Sequence, residues 1–111
     1  MKLTELVGQL DLQVHSTPEH LDRPVTGGHA GDLLSSVMAH AAAGNVWVTI
    51  QIHPNIVAVG ALLGLAAIII AGGAEPEATT LARAADEHVT MLTTPMSAFE
   101  VVGKLYQLGV H

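Results

Sequence analysis

Apolar positions along the chain change their period several times, and each change marks an expected element. Leu3, Leu6, Val7 and Leu10 fall at i, i+3, i+4 and i+7, the spacing of one helix face, so residues 3–10 should open the fold as an amphipathic helix. A short strand is expected over 12–15. From Ser16 to Gly31 the chain is polar, holds Pro18 and Pro24, and gathers Gly27, Gly28 and Gly31. That stretch reads as loop, with at most a short extended piece around Val25.

Asp32 is placed to cap a helix whose apolar stripe is Leu34, Val37, Met38 and Ala41, with Gly44-Asn45 as its stop. A strand over 46–52 follows. His53-Pro54-Asn55 then joins a proline tolerated in a first helical turn to a capping amide, which predicts a helix to Leu63. Residues 65–70 form the expected central strand, closed by Gly72-Gly73. Pro76 opens a further helix with Ala78, Leu81, Ala82 and Ala85 on one face, and 89–92 make the last strand. Ser97 and Glu100 have the spacing of a capping box, with Met96 stapled against Val101, so a final helix starts there. Its apolar residues Val101, Val102, Leu105, Tyr106 and Leu108 cover more than one face, which suggests a surface that meets a partner.

Strands alternating with helices through short turns specify an α/β fold. The expectation is one domain over residues 1–111, a three-layer α/β/α sandwich with a mostly parallel sheet of about four to five strands. Composition agrees: half of the 111 residues are apolar but only one Phe, one Tyr and one Trp occur, so the core is aliphatic, as in strands covered on both faces. The uncharged run from Ile56 to Ala74 is long enough to span a bilayer. It contains four glycines, lacks a Lys or Arg flank, and ends in Ile68-Ile69-Ile70, so it reads as a helix followed by a buried strand.

Ten acidic against four basic residues give a formal charge of −6, which opposes binding to a phosphate backbone and removes nucleic acid as a partner. Seven histidines would bring the charge to +1 if all were protonated. No cysteine is present, and Glu5 interrupts the N-terminal stretch where a signal peptide needs an apolar run, so a cytoplasmic location is expected.

Several segments together resemble a DRTGG domain. They are Asp22-Arg23, Thr26-Gly27-Gly28, Gly31-Asp32-Leu33-Leu34, Trp47-Val48-Thr49-Ile50-Gln51, His53-Pro54-Asn55-Ile56, Ala67-Ile68-Ile69-Ile70 and Ser97-Ala98-Phe99-Glu100. The likeness runs over nearly the whole chain, although Pro24-Val25 separates the two halves of the eponymous motif. Such domains are regulatory parts of larger proteins, including phosphotransacetylases and CBS-containing pyrophosphatases, and are similar in fold to the N-terminal domain of HPr kinase. The resemblance implies an α/β/α sandwich, often dimeric, without catalytic residues of its own. No G-x-x-x-x-G-K-[ST] loop is present to support kinase chemistry.

Ligands of open α/β sheets bind beyond the carboxyl ends of the strands. The candidate site residues are therefore Arg23, Gly27, Gly28 and His29 in the glycine loop, His53 and Asn55, Gly72 and Gly73, and Thr93, Thr94 and Ser97. Helix-start N–H groups and these side chains would suit a small phosphorylated or nucleotide ligand. The histidines, at 15, 20, 29, 40, 53, 88 and 111, show neither H-x-H nor H-E-x-x-H spacing, and no metal or other cofactor is expected. The expected function is a non-catalytic ligand-sensing module that forms a homodimer and modulates a partner enzyme. The alternatives are an adaptor of an enzyme complex without a ligand, and a metal-dependent or phosphoryl-transferring enzyme using His53, Asp22 and Arg23.

Overall fold

A computed structural model of the protein describes residues 1–15 and 20–111; Ser16 to Glu19, the start of the expected glycine-rich loop, lie outside the described residues. The elements run α1 (Leu3–Leu10), β1 (Gln13–Val14), β2 (Gly27–Ala30), α2 (Leu34–His40), β3 (Asn45–Thr49), α3 (Asn55–Leu63), β4 (Ala67–Ile70), α4 (Ala78–Glu87), β5 (Met91–Thr93) and α5 (Ala98–Gln107). One sheet in the order β1-β5-β4-β3-β2 carries them, parallel throughout except where β1 pairs antiparallel with β5. This is the expected α/β/α sandwich with a mostly parallel sheet.

Alternation along the strands sorts the core into two layers. Val46, Val48, Ala67, Ile69 and Leu92 face α1 and α5, packing on Leu3, Leu6, Leu10, Val101 and Leu105. Trp47, Ile68, Ile70 and Met91 face the other way onto Val37, Ile56, Val57 and Ala84 of α2, α3 and α4. The three crossovers from β2 to β5 place their helices on one face, as the shared hand of successive βαβ units requires. The uncharged run divides as expected into α3 and β4. Gly64 at φ +67° makes the break, since its left-handed conformation ends the helix and turns the chain into the strand. No helix of the described residues is long and apolar enough to cross a membrane.

Four local expectations change. Gly27–Ala30, expected as loop, is a strand paired residue for residue with Asn45–Val48. Its two glycines have no side chains to display a period, so the strand is set by its partner. Asp32 does not cap α2: Leu33 holds the cap position, and Asp32 Oδ1 accepts the Thr49 hydroxyl at 2.7 Å and the Ile50 N–H at 3.0 Å. Asn55 does not cap α3; its N–H donates to His53 Nδ1 at 3.2 Å. On α4 the buried positions are Thr80 and Ala84, with Leu81 half-buried and Ala78, Ala82 and Ala85 exposed. Thr80 turns inward because its hydroxyl donates to Ile52 O at 2.5 Å, which satisfies the group inside the core.

A candidate ligand cleft at the carboxyl end of the sheet

From β2 to β5 the strands follow one another in space, so their parallel part contains no reversal of order to open a crevice. The reversal comes at β5, where antiparallel β1 closes that side of the sheet. There the turn between α1 and β1 diverges from the loop after β4 and leaves a cleft of about 640 Å³. Asp11, Gln13, Gly73, Glu75, Thr93 and Thr94 contribute to its walls.

Each wall has a local cause. Asp11 ends α1 in a left-handed conformation (φ 53°), which turns Leu12 inward and sends Gln13 into pairing with Thr93. Gly72 and Gly73 follow β4 with φ +76° and +74°, two successive left-handed residues that only glycine adopts at little cost. Their N–H groups donate to Met96 O at 2.7 Å and Thr94 O at 3.0 Å, pinning this loop to the one after β5. These donors are therefore already engaged and do not cradle an anion. Thr93 Oγ1 lies 2.7 Å from His15 Nε2, and Thr94 Oγ1 accepts the Met96 N–H at 3.2 Å, leaving its own proton to donate. Asp11 and Glu75 contribute carboxylates while, among the described residues, no Lys, Arg or His lines the cleft, so it favours neutral or cationic groups over a bare phosphate.

The structure divides the eleven expected site residues. Gly73, Thr93 and Thr94 line the cleft, and Gly72 lies next to them. His53 and Asn55 reach the same rim but at the start of α3, outside the cleft, with His53 committed to the α3 N-terminus. Ser97 caps α5 by accepting the Glu100 N–H at 3.2 Å. Arg23 lies at the opposite, amino-terminal rim. Its guanidinium donates to Leu65 O and His88 O, each at 3.3 Å, and stands 3.3 Å from His20 Nδ1, bracing the starts of β4 and β5. Gly27 begins β2 at that same rim, while Gly28 and His29 lie within the strand, His29 stacked on His40 with ring centroids 6.3 Å apart.

Asp22 is also at the amino-terminal rim, with Lys2 Nζ at 3.8 Å. His53, Asp22 and Arg23 are thus not assembled for phosphoryl transfer. Among the described residues no cluster of three His, Cys, Asp or Glu side chains is arranged to hold a metal ion. Sequence reasoning missed Asp11, Gln13 and Glu75, because their meeting depends on the antiparallel return of β1. The only local signal was the short spacing from α1 into the strand.

No protein-family model matches the sequence, and no curated protein matches it at a significant level. In fold the chain is similar to the crystal structure of the CBS and DRTGG domains of the regulatory region of Clostridium perfringens pyrophosphatase, complexed with its activator diadenosine tetraphosphate. The TM-score is 0.75 at 19% sequence identity, and the likeness covers 92% of this chain but 44% of that one. The chain therefore spans less than half of that regulatory region, and what the two share is a fold of the DRTGG type.

Proposed function

We propose that residues 1–111 act as one DRTGG-type regulatory module, non-catalytic and cytoplasmic, which senses a small polar ligand, forms a homodimer and modulates a partner enzyme. The observation that carries this reading is the cleft at the β5–β1 reversal. It is a concave site with hydrogen-bonding groups, held by two pinned loops, on a fold similar to that of a regulatory region. The separation of His53 from Asp22 and Arg23 favours sensing over chemistry.

The ligand we propose is a nucleotide or other phosphorylated small molecule. Its uncharged part meets Gln13, Thr93 and Thr94, and its phosphates point to solvent, away from Asp11 and Glu75. A ligand that prefers the folded state stabilises it by about 2.7 kcal/mol at one hundred times its Kd. Thermal unfolding with diadenosine tetraphosphate, ATP, AMP and adenosine is the direct test, repeated on Gln13→Trp, which fills the cleft from an exposed strand position. At least one compound should raise Tm by several degrees in the parent chain and not in the variant. No rise with millimolar compound, or a rise that survives Gln13→Trp, would remove the sensing role of this cleft.

A further inference from the structure

His15, half-buried at the end of β1, stands behind the cleft rather than in its wall. Its backbone N–H donates to Met91 O at 2.9 Å, which carries the antiparallel pairing of Gln13 with Thr93 and Val14 with Leu92 one residue further. Residues two apart on a strand share a face, so His15 lies on the same side of the sheet as Gln13 and Thr93. A long side chain on such a face reaches the diagonal neighbour of the opposite strand. His15 makes that reach, with Nε2 2.7 Å from Oγ1 of Thr93, a wall residue of the cleft.

A threonine hydroxyl has one proton and two lone pairs, so its partner decides what it can show to a third group. When Nε2 of a neutral imidazole accepts the Thr93 proton, only lone pairs remain for the cleft. A protonated imidazole donates from both nitrogens, so Nε2–H then points at Oγ1 and the Thr93 proton is freed. The 2.7 Å contact is at the short end of N–H···O separations and suits a hydroxyl donor. Thr94 does not change with its neighbour, because its Oγ1 accepts the Met96 N–H and its own proton stays available. The two threonines thus offer one acceptor and one donor beside neutral His15, and two donors beside the cation. Around His15, the turn before β1 brings Asp11 and the loop after β4 brings Glu75. Helix α4 and its cap, on the face His15 shares with Met91, bring Glu77, Arg83, Asp86 and Glu87. Among the described residues none of these is ion-paired with His15, and Arg83 is held by Glu87 at 2.9 Å. A proton arriving on His15 is therefore felt first at Thr93.

We propose that His15 is the positioning residue of this cleft. Neutral, it holds Thr93 as an acceptor beside the Thr94 donor, and the pair binds the amino-bearing edge of a nucleobase, an exocyclic N–H next to a ring nitrogen. Protonated, it turns Thr93 into a second donor, which opposes the ligand's N–H and releases it. The proposal rests on the reading of the cleft as a nucleotide site and adds the recognised edge and its regulation. Adenine and cytosine carry such an edge. Asp11 and Glu75 act in the same sense, since carboxylates on the walls favour a rim of N–H groups over a rim of carbonyl oxygens. The predicted sign runs against the background. Protonating the seven histidines takes the chain from −6 to +1 and strengthens its hold on phosphates in acid, whereas the His15–Thr93 contact weakens its hold on the base.

Two measurements on the chain test this. Nitrogen-15 NMR of the imidazoles at about pH 8 should find the His15 proton on Nδ1, and Thr93→Val, which keeps the shape but removes the hydroxyl, should release that tautomer. A proton on Nε2 in the parent at that pH overturns the proposal whether or not any ligand binds. Calorimetric titration with adenosine, which has no phosphate to respond to net charge, should show affinity at least about fivefold weaker at about pH 5.5 than at about pH 8, across the range in which histidines gain a proton. The same nucleoside without its exocyclic amine should bind at least about fivefold more weakly than adenosine at about pH 8. His15→Gln should abolish the pH dependence, and His111→Ala, beside β2 at the opposite side of the sheet, should keep it. Adenosine affinity that is constant with pH, or that changes equally in His15→Gln, overturns the proposal and leaves the cleft as a ligand site. Failure of every compound in the thermal-unfolding panel to bind at either pH removes the cleft reading, and the edge assigned to its ligand falls with it.

Discussion

Helix α2 is anchored to the sheet through one fully buried side chain. Of Leu34–His40 only Val37 is buried, in the cluster that contains Trp47, while Leu34 and Ala41 pack at its margin. Val37→Ala removes two methyl-sized groups. Lost transfer is worth about 1.6 kcal/mol at ~0.8 per group. A residual cavity of about 50 Å³ adds roughly 1.2 kcal/mol at ~24 cal/mol per Å³ if nothing relaxes, so partial collapse puts the total near 2.5 kcal/mol. With a urea m-value of about 1.5 kcal/mol/M the midpoint should fall by about 1.7 M. Trp47 is the sole tryptophan and is buried with Nε1–H donating to Gly31 O at 2.8 Å, so its fluorescence reports this corner of the core while far-UV circular dichroism reports the whole. The two transitions should coincide in the parent. In Val37→Ala both should move, whereas Met38→Ala, at an exposed position on the same helix, should stay within about 0.5 kcal/mol of the parent. A loss below 1 kcal/mol for Val37→Ala, or an equal loss for Met38→Ala, would refute the view that α2 hangs on this contact.

Substitutions at two further positions test polar contacts that shape the carboxyl-end loops. Thr80→Val keeps the volume of a fully buried side chain but removes its bond to Ile52 O, and should cost about 1 kcal/mol in urea unfolding; an unchanged midpoint would show the hydroxyl contributes nothing. Asp32→Ala removes the acceptor for Thr49 Oγ1 and the Ile50 N–H, at a cost of about 1.5–2 kcal/mol for a charge-assisted pair. Asp32→Asn should recover about half of this in the same assay, by the usual ratio of neutral to charged bonds. Asp32→Ser, a good helix cap with a shorter reach, should recover little, and full recovery by serine would restore the capping role that the structure denies.

Side-chain period made part of this molecule readable and left the rest dark. Leu3, Leu6, Val7 and Leu10 specified α1 to its ends, and the Ile56–Ala74 run divided at Gly64 because a helix and a buried strand of ordinary lengths fill it. The Ser97 cap was legible because it is made between residues three apart. β2 was not, since Gly27 and Gly28 carry no pattern and their conformation is imposed by β3. The buried face of α4 was misassigned because alanine and threonine differ too little in hydrophobicity to locate a stripe; the Thr80–Ile52 bond, made across 28 positions, fixes the rotation instead. The cleft was half legible for a related reason. Strand ends in a parallel sheet can be counted along the sequence, which found Gly73, Thr93 and Thr94. The opposite wall, with Asp11 and Gln13, depends on β1 running antiparallel beside β5, a pairing made across 80 positions. Arg23 shows the converse error. It precedes the glycines in sequence, but β2 runs from Gly27 to Ala30, so a residue upstream of the strand is carried to the amino-terminal rim, where it braces Leu65 and His88. Strand direction, which composition does not encode, thus decides which of two neighbouring motifs reaches a ligand.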